Sequence, residues 1–340
     1  MDSLTQIVLG AACGEAVLGK KIGNRALLFG AIGGTLPDLD VFVGRWLYTN
    51  EIQIMAFHRG FMHSFLFSVL AAFILGYLLY RLYETGSRKG ITSLKDWISL
   101  FGLSIMTHPI LDSFTGYGTQ LLSPFSNYRV ALDNIAVVDP LYTIPFLICL
   151  IILMCFNRSS KTRSRVLKIG IAVSSFYMIL TLFNKFYVNQ IFRSDLEARE
   201  IEYSRFKSQP TIFNNILWYG IAESAEAYYV AFYSILDNIN APKKWQKLPK
   251  NHDLIESADN NIETLVWFSD GYYSLTQTKS ENVLIFRDLR YPLLNEDDPN
   301  SSVFTFKIVK SNRGWDAKSF EPEEPSRGDL SAFWNRLKGI

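Results

Sequence analysis

The sequence predicts an α-helical multi-spanning membrane domain of five or six helices, followed by a small soluble α+β domain with a mainly antiparallel sheet. Residues 1–190 consist of apolar runs broken by short charged loops, whereas residues 191–320 are rich in aromatic and β-forming residues. Residues 321–340 form a third predicted part, an acidic linker followed by a short helix. A chain of 340 residues is long enough for two domains.

Six apolar segments are candidates for the membrane helices. A span requires about 20 predominantly apolar residues. The segments that approach this length are 4–18, 26–44, 61–80, 97–114, 140–156 and 168–188. The first is short and carries Glu15, so it either crosses the membrane or lies partly in the interface. We expect Glu15 to pair with Lys20 or Lys21.

Three basic loops orient these helices. They follow the first, third and fifth segments, at 20–25, 81–95 and 158–168. Six crossings place all three loops on one side of the membrane, and the positive-inside rule makes that side cytoplasmic. The loops 45–60 and 115–139, together with the C-terminal domain, are then predicted to lie on the opposite, extracytoplasmic side of the membrane.

Composition narrows the classes of function. The net charge is only +2, and the basic residues cluster in the loops that orient the membrane helices. We therefore expect membrane lipids as partners and do not expect nucleic acid. The three cysteines all fall in apolar segments, which predicts no disulfide framework. The first residues lack the basic region and the cleavage site of a signal peptide.

Polar motifs at the outer ends of the apolar segments predict a metal site. Three of the four histidines and four carboxylates lie at these ends, where polar side chains are costly and usually functional. Imidazole and carboxylate ligands suit a divalent metal, zinc first with manganese or iron as alternatives, and allow one or two ions. The candidate ligands are Asp38, Asp40, His58, His63, His108, Asp112 and Asp139.

The spacing of two pairs suggests how they are used. His108 and Asp112 share one face of a helix, although proline follows the histidine. Asp38 and Asp40 suit a turn that directs both inward, or one to the metal and one to a ligand histidine. Taken singly, each histidine also fits a hydrogen-bonded packing residue, and the aspartate pair fits an ordinary turn.

Three further roles are expected at the site. Asp40 or Asp139 would accept a proton from the attacking water. Arg59, and similarly Arg129, would hold an anionic group of the substrate, with contact to lipid phosphate as the alternative. Asp139 directly precedes Pro140, so it is also a good helix N-cap.

The C-terminal half predicts strands with a few helical stretches. Asp195 to Phe206 is a polar helical stretch, and Asp329 to Leu337 suits a terminal amphipathic helix. The segments with the composition of strands are 264–277, 282–293 and 301–310, and Asp270-Gly271 marks a turn within the first.

Five motifs carry a family resemblance. They are MDSLTQIVLGAACGEAVLG, GAIGGTLPDLD, HRGFMHS, THPILDSFTGYGTQLLSPFS and VVDPLYT. In this order they resemble the YdjM-type inner-membrane metal-dependent hydrolases, over residues 1–190. The resemblance implies a bacterial or archaeal multi-spanning protein with a metal-binding hydrolase core, whose polar motif positions are the seven ligands named above. Met62 stands where a small residue such as Thr is expected.

The expected function is metal-dependent hydrolysis at the outer membrane–water interface, on a phosphoester or another lipid-linked ester. The alternative is a metal-binding transporter or a partner-binding protein without turnover. A transporter would place polar residues at the midplane of several spans, whereas here they gather at one end. A structural metal would be closed off by its protein ligands, whereas a catalytic metal keeps an open position.

Overall fold

The structure is a computed structural model that describes residues 1–293, 296, 298, 301–311, 314–320 and 327–340. The chain divides into two compact units, residues 1–44 with 57–181 and residues 45–56 with 182–340. The domain boundaries predicted near 190 and 320 stay predictions. The predicted acidic linker lies outside the described residues between 321 and 326.

Helices occupy each of the six predicted apolar segments. In chain order the helices of this half are α1 Ser3–Ile22, α2 Asn24–Thr35, α3 Asp40–Leu47, α4 Glu51–Phe57, α5 Phe65–Tyr83, α6 Leu94–Asp112, α7 Pro140–Met154 and α8 Lys161–Ala198. Of these, α4 lies between the second and third predicted segments, and the others overlap the six segments. Short 3₁₀ turns at Leu36–Leu39 and Phe61–His63 precede α3 and α5. Within the described residues, three stretches are long and apolar enough to cross a membrane: Asn24–Leu47, Phe65–Tyr83 and Lys161–Ala198.

Glycines bring α1 and α2 into backbone contact. Gly10 and Gly14 on α1 face Gly30 and Gly34 on α2, which gives each helix a glycine pair four residues apart. A Cβ on Gly10 would lie 2.4 Å from the carbonyl oxygen of Gly30. Small residues at this spacing let membrane helices approach closely. The contact fixes the end of α2, where the chain turns into Leu36–Leu39.

A buried ion pair joins α1 to α8. Arg163 donates to Glu15 through Nε and Nη2, each bond 2.6 Å long, and its Nη1 donates to Asn24 Oδ1 at 2.7 Å. The expected pairing of Glu15 with Lys20 or Lys21 is therefore wrong, because Glu15 points inward to α8, whereas Lys21 contacts Asp96. A forked guanidinium suits a carboxylate better than a lysine ammonium does.

The second unit contains two antiparallel sheets, each with its strands in chain order. The first comprises β1 Arg205–Pro210, β2 Leu217–Glu223, β3 Ala227–Ser234 and β4 Gln246–Pro249. The second comprises β5 Tyr273–Gln277, β6 Val283–Leu293, β7 Ser302–Ser311 and β8 Gly314–Phe320. Helix α9, Asn260–Phe268, lies between them in the chain, and helix α10, Arg327–Leu337, follows the second sheet.

Residues alternate across the first sheet to fill two cores. Tyr219 on β2 points to the second sheet, where its hydroxyl donates to the Leu289 carbonyl at 3.0 Å. Trp218, its neighbour, packs on the opposite face with Phe192 of α8. Gly220 lies under that ring, and a Cβ there would come within 2.9 Å of it. The sheet is thus buried on both faces, which explains its run of apolar residues.

Two predicted elements of this half are wrong. The helix expected over Asp195 to Phe206 ends at Ala198, and Phe206 lies in β1. Residues 264–268 belong to α9 and not to a strand, because Asp259 caps the helix by accepting from the Asn261 and Ile262 amides. The buried residues of this segment recur with a helical spacing of three: Ile262, Leu265 and Phe268.

Candidate metal centre

Three residues from separate elements place their ligand atoms within 4.8 Å of one another: Asp38, His63 and His108. Asp38 lies in the 3₁₀ turn after α2, and His63 ends the 3₁₀ turn before α5. His108 lies near the C-terminal end of α6, where Pro109 does not interrupt the helix. This is the one group of its kind among the described residues.

The donor atoms converge on a small volume. His63 Nε2 and His108 Nε2 lie 3.1 Å apart. Asp38 Oδ1 lies 3.5 Å from the first nitrogen and 3.4 Å from the second. Asp112 Oδ2 lies 3.5 and 3.6 Å from the same two nitrogens. Ligand atoms on a tetrahedral zinc ion with its usual bond lengths are about 3.3 Å apart, so this spacing fits a metal.

The contacts of the two Nδ1 nitrogens, which point away from the facing Nε2 atoms, indicate where each imidazole carries its proton. His108 Nδ1 is 2.6 Å from the carbonyl oxygen of Gly34, and His63 Nδ1 is 3.1 Å from Asp40 Oδ2. The Gly34 carbonyl favours a proton on His108 Nδ1, and the negative charge of Asp40 close to His63 Nδ1 favours one there, which would leave a lone pair on each Nε2. Two lone pairs and two carboxylates then face one another in a buried space. This arrangement could hold a cation.

Asp112 is the fourth potential donor. Its Oδ2 is buried and accepts no hydrogen bond, although Arg59 Nε lies 3.1 Å away. Its Oδ1 accepts from Gln6 Nε2 at 2.9 Å and contacts the amino group of Met1. A buried acceptor atom without a hydrogen bond is rare. It supports the fit of a divalent metal to this set of nitrogen and oxygen donors.

Asp40 lies behind the donors, not among them. Its oxygens contact His63 Nδ1, His58 Nδ1 at 2.8 Å and the Arg59 amide at 2.9 Å. Of the two alternatives for the aspartate pair, the structure thus has Asp38 facing the ligand atoms and Asp40 facing a ligand histidine. His58 does not join the group of ligand atoms, and its side chain is 25% exposed.

Arg59 is buried against the site and is not available to a substrate anion in this arrangement. Its Nη1 donates to Thr115 Oγ1 at 3.0 Å, and its guanidinium lies 4.7 Å from the centre of the Tyr117 ring. Arg129, whose Nη2 donates to the Tyr117 carbonyl at 2.9 Å, contacts the same ring. The positive φ of Arg59, 60°, is a strained conformation that such contacts maintain.

Asp139 has the N-cap role that its position before Pro140 also predicts. Its Oδ1 accepts from the Leu141 and Tyr142 amides, and its Oδ2 accepts from the Tyr177 hydroxyl at 2.9 Å. It does not join the group of metal ligands found in the described residues. These contacts support a structural role and give no support to the expected roles as ligand or proton acceptor.

Sequence reasoning missed two groups that build the site. The Gly34 carbonyl orients His108, and a backbone atom carries no signal of its own in a sequence. Gln6 donates to Asp112 and to the His108 carbonyl, the latter at 3.2 Å. An amide inside the apolar run of α1 was the available signal, because buried polar groups need partners.

A substitution of Asp40 tests its orienting role. Asp40→Asn keeps the shape but weakens the contact with His63 Nδ1, and we expect metal affinity to fall about 10–100-fold. Competition with a chromogenic chelator measures this. Asp139→Asn is the matched control, because it neutralises another buried aspartate of the same unit and asparagine still caps a helix. Equal affinities of parent and Asp40→Asn would contradict the role.

Comparisons with known proteins found one family model, which matches the helical half of the chain, and two relatives that are described here. The family model described as YdjM inner membrane protein matches residues 1–188. The Bacillus subtilis (strain 168) protein named Uncharacterized protein YfhP is 27% identical over 305 residues, which cover 86% of this chain and 87% of that protein. Inner membrane protein YbcI of Escherichia coli (strain K12) is 29% identical over 130 residues, 37% of this chain and 69% of YbcI. No solved structure matches.

The family match spans more than half of the chain and contains every residue of the candidate metal centre. Among the described residues, the three stretches that are long and apolar enough to cross a membrane agree with the inner-membrane location in the family's description. The chain belongs to the YdjM inner membrane protein family.

Proposed function

We propose that this protein is a membrane-embedded metal-dependent hydrolase that acts at the outer membrane–water interface. One observation carries the proposal: two buried imidazole Nε2 atoms face each other at 3.1 Å beside two carboxylates. Zinc is the first choice of metal for this donor set, with manganese and iron as alternatives. One ion is enough to account for the geometry.

The proposal includes five or six membrane crossings. Helices α1 and α6, with 20 and 19 residues, have the length to span but are not among the three stretches that are apolar enough by composition. Polar residues of both helices face the centre, such as Gln6 and His108, and membrane helices tolerate such groups when they face the protein interior. The basic loops then place the centre at the outer face.

Each residue of the centre has a proposed task. His63, His108, Asp38 and Asp112 hold the metal, while Asp40 and the Gly34 carbonyl fix the orientation of the two imidazoles. A divalent metal in such a site supplies acidification of water and polarisation of the bond to be cleaved. Asp38 is the proposed proton acceptor, because its Oδ2 points away from the histidines towards Ser3 Oγ at 3.3 Å.

The exposure of Asp38 suggests the class of substrate. Its side chain is 20% exposed, whereas those of His63 and His108 are fully buried, so the centre opens at Asp38. The next residues along the chain expose apolar side chains, Leu39 by 42% and Phe42 by 68%. An opening flanked by apolar surface fits an amphipathic molecule. We propose a phosphoester or another ester linked to a lipid chain.

An activity assay on the reloaded protein tests this function. The protein is purified in detergent, stripped with a chelator and reloaded with zinc, manganese or iron. It is then given aryl phosphates, carboxylic esters and phospholipid in mixed micelles. We expect turnover by the parent, none by His63→Ala, and parental turnover by His252→Gln, which changes a histidine outside the centre.

A second candidate is a non-catalytic metal centre. The complete burial of His63, His108 and Asp112 favours it, because structural sites are closed by protein ligands. This candidate predicts a bound metal with no turnover in the same assay. Metal binding without hydrolysis of any of the three substrate classes would therefore contradict the hydrolase proposal and support this alternative.

A further inference from the structure

Two turns of the first sheet expose large apolar side chains to solvent. The turn between β1 and β2 contains Ile212 and Phe213, exposed by 52% and 55%. The connection between β3 and β4 contains Leu236 and Ile239, exposed by 54% and 73%. Single exposed apolar residues are common, but four on two neighbouring turns form a patch that calls for a physical explanation.

Both turns lie at the same end of the sheet. The first residue of β2, Leu217, pairs with the last residue of β3, Ser234. Just beyond this pair, the Ile235 amide donates to the Ile216 carbonyl at 3.0 Å. The four exposed side chains therefore belong to one edge of the unit.

Phe213 is held in a costly conformation at the tip of its turn. Its φ is 66°, in the left-handed region that bulky residues seldom adopt. Asparagine or glycine would adopt this conformation with less strain, and asparagine follows directly at position 214. An exposed phenyl group in this place suggests that the side chain itself is required.

Hydrogen bonds tie both turns to α8 where its apolar face ends. Asn184 Nδ2 donates to Asn215 Oδ1 at 2.9 Å, and the Tyr187 hydroxyl donates to Asn240 Oδ1 at 3.4 Å. On α8, Phe183 and Phe186 are 67% and 64% exposed, which continues the apolar surface of a candidate membrane span to this level.

The level of the turns relative to the bilayer follows from helix geometry. The first exposed charged residue of α8 beyond Phe186 is Arg193. At 1.5 Å per residue, Asn184 lies roughly 14 Å from Arg193 along the helix axis, on the side of the candidate membrane span. One interfacial layer of a bilayer is only about 5–8 Å thick. If Arg193 lies at the outer edge of the headgroup layer, the turns bound to Asn184 and Tyr187 reach the headgroups and the first part of the acyl chains.

We propose that the β1–β2 and β3–β4 turns insert into the interface of the same membrane that α8 spans. The occupant of this apolar patch is the lipid bilayer, because the patch continues the lipid-facing surface of α8. Apolar side chains buried at the headgroup boundary anchor interfacial segments. These two turns would attach the second unit to the membrane surface, in addition to its connection to the candidate span through helix α8. This attachment does not depend on the metal centre or on any activity.

Fluorescence quenching by lipid tests the insertion in the full chain. Single cysteines replace Phe213, Leu236 or Ile239 in a background in which Cys13, Cys149 and Cys155 are changed to alanine. Each is labelled with an environment-sensitive nitrobenzoxadiazole dye and reconstituted into phosphatidylcholine vesicles, with and without lipid brominated in its acyl chains. Ser280→Cys, at an exposed position in the turn between β5 and β6, is the control.

We expect blue-shifted emission and several-fold stronger quenching by brominated lipid at positions 213, 236 and 239 than at position 280. Measuring two positions in one turn guards against a single variant that does not fold. Water-like emission at all three test positions, or quenching no greater than that at position 280, would overturn the proposal.

Discussion

Replacing either buried histidine of the centre should remove the metal. We expect the purified parent to carry stoichiometric metal, and His63→Ala and His108→Ala to fall to background by elemental analysis. The reason is that each imidazole supplies one of the two nitrogen donors of the candidate centre, whose Nε2 atoms lie 3.1 Å apart. Loss of the metal also removes its positive charge from beside Asp38 and Asp112.

Two control histidines sharpen this result. His252→Ala should keep the parental metal content, because His252 stacks on Tyr273 in the second unit. His58→Ala should also retain the ion, since His58 contacts Asp40 and not the donors. Loss of metal in His58→Ala with retention in His108→Ala would reverse the assignment and favour a different ligand set.

Breaking the Glu15–Arg163 pair should destabilise the membrane unit more than any surface change. Arg163→Met leaves a buried carboxylate unpaired, and such losses cost about 3–5 kcal/mol. Unfolding in mixed micelles, followed by circular dichroism as denaturant rises, measures the free energy of unfolding. The double variant Glu15→Met/Arg163→Met should recover most of this loss, because an apolar pair needs no compensating charge.

Lys21→Met provides the matched control for that experiment. The Lys21 side chain is 45% exposed and pairs with Asp96 at the surface, where an ion pair is worth about 0–1 kcal/mol. Equal losses in Arg163→Met and Lys21→Met would contradict the importance of the buried pair. A double variant as unstable as the single one would contradict the explanation by an unpaired charge.

The sequence predicts the helices and the principal donors because their signals are local. Long apolar runs give helices, and His63 and His108 stand out as polar residues at the ends of such runs. For the orientation of Asp38 and Asp40 the sequence leaves two alternatives open. A choice between them needs the backbone conformation, in which the 3₁₀ turn ends at Leu39 and points the two carboxylates in different directions.

Local sequence patterns do not reveal contacts between residues that are far apart in the chain. Glu15 pairs with Arg163, 148 residues away, although two lysines follow it closely in the sequence. The charge and the sequence position of Arg59 suggest a substrate-binding residue, yet in the folded protein its guanidinium contacts Asp112. In the second unit, a capping aspartate and three buried residues at helical spacing outweigh the β-forming composition of α9.

X-ray absorption at the edge of the bound metal is the most direct test of the centre. The protein, reconstituted in lipid and loaded with the metal it retains best, should show scattering from two imidazole rings and from carboxylate oxygens at coordination distance. Two imidazoles would match His63 and His108, and the oxygens would match Asp38 and Asp112. A first shell of oxygen alone, without imidazole scattering, would contradict the metal centre described here.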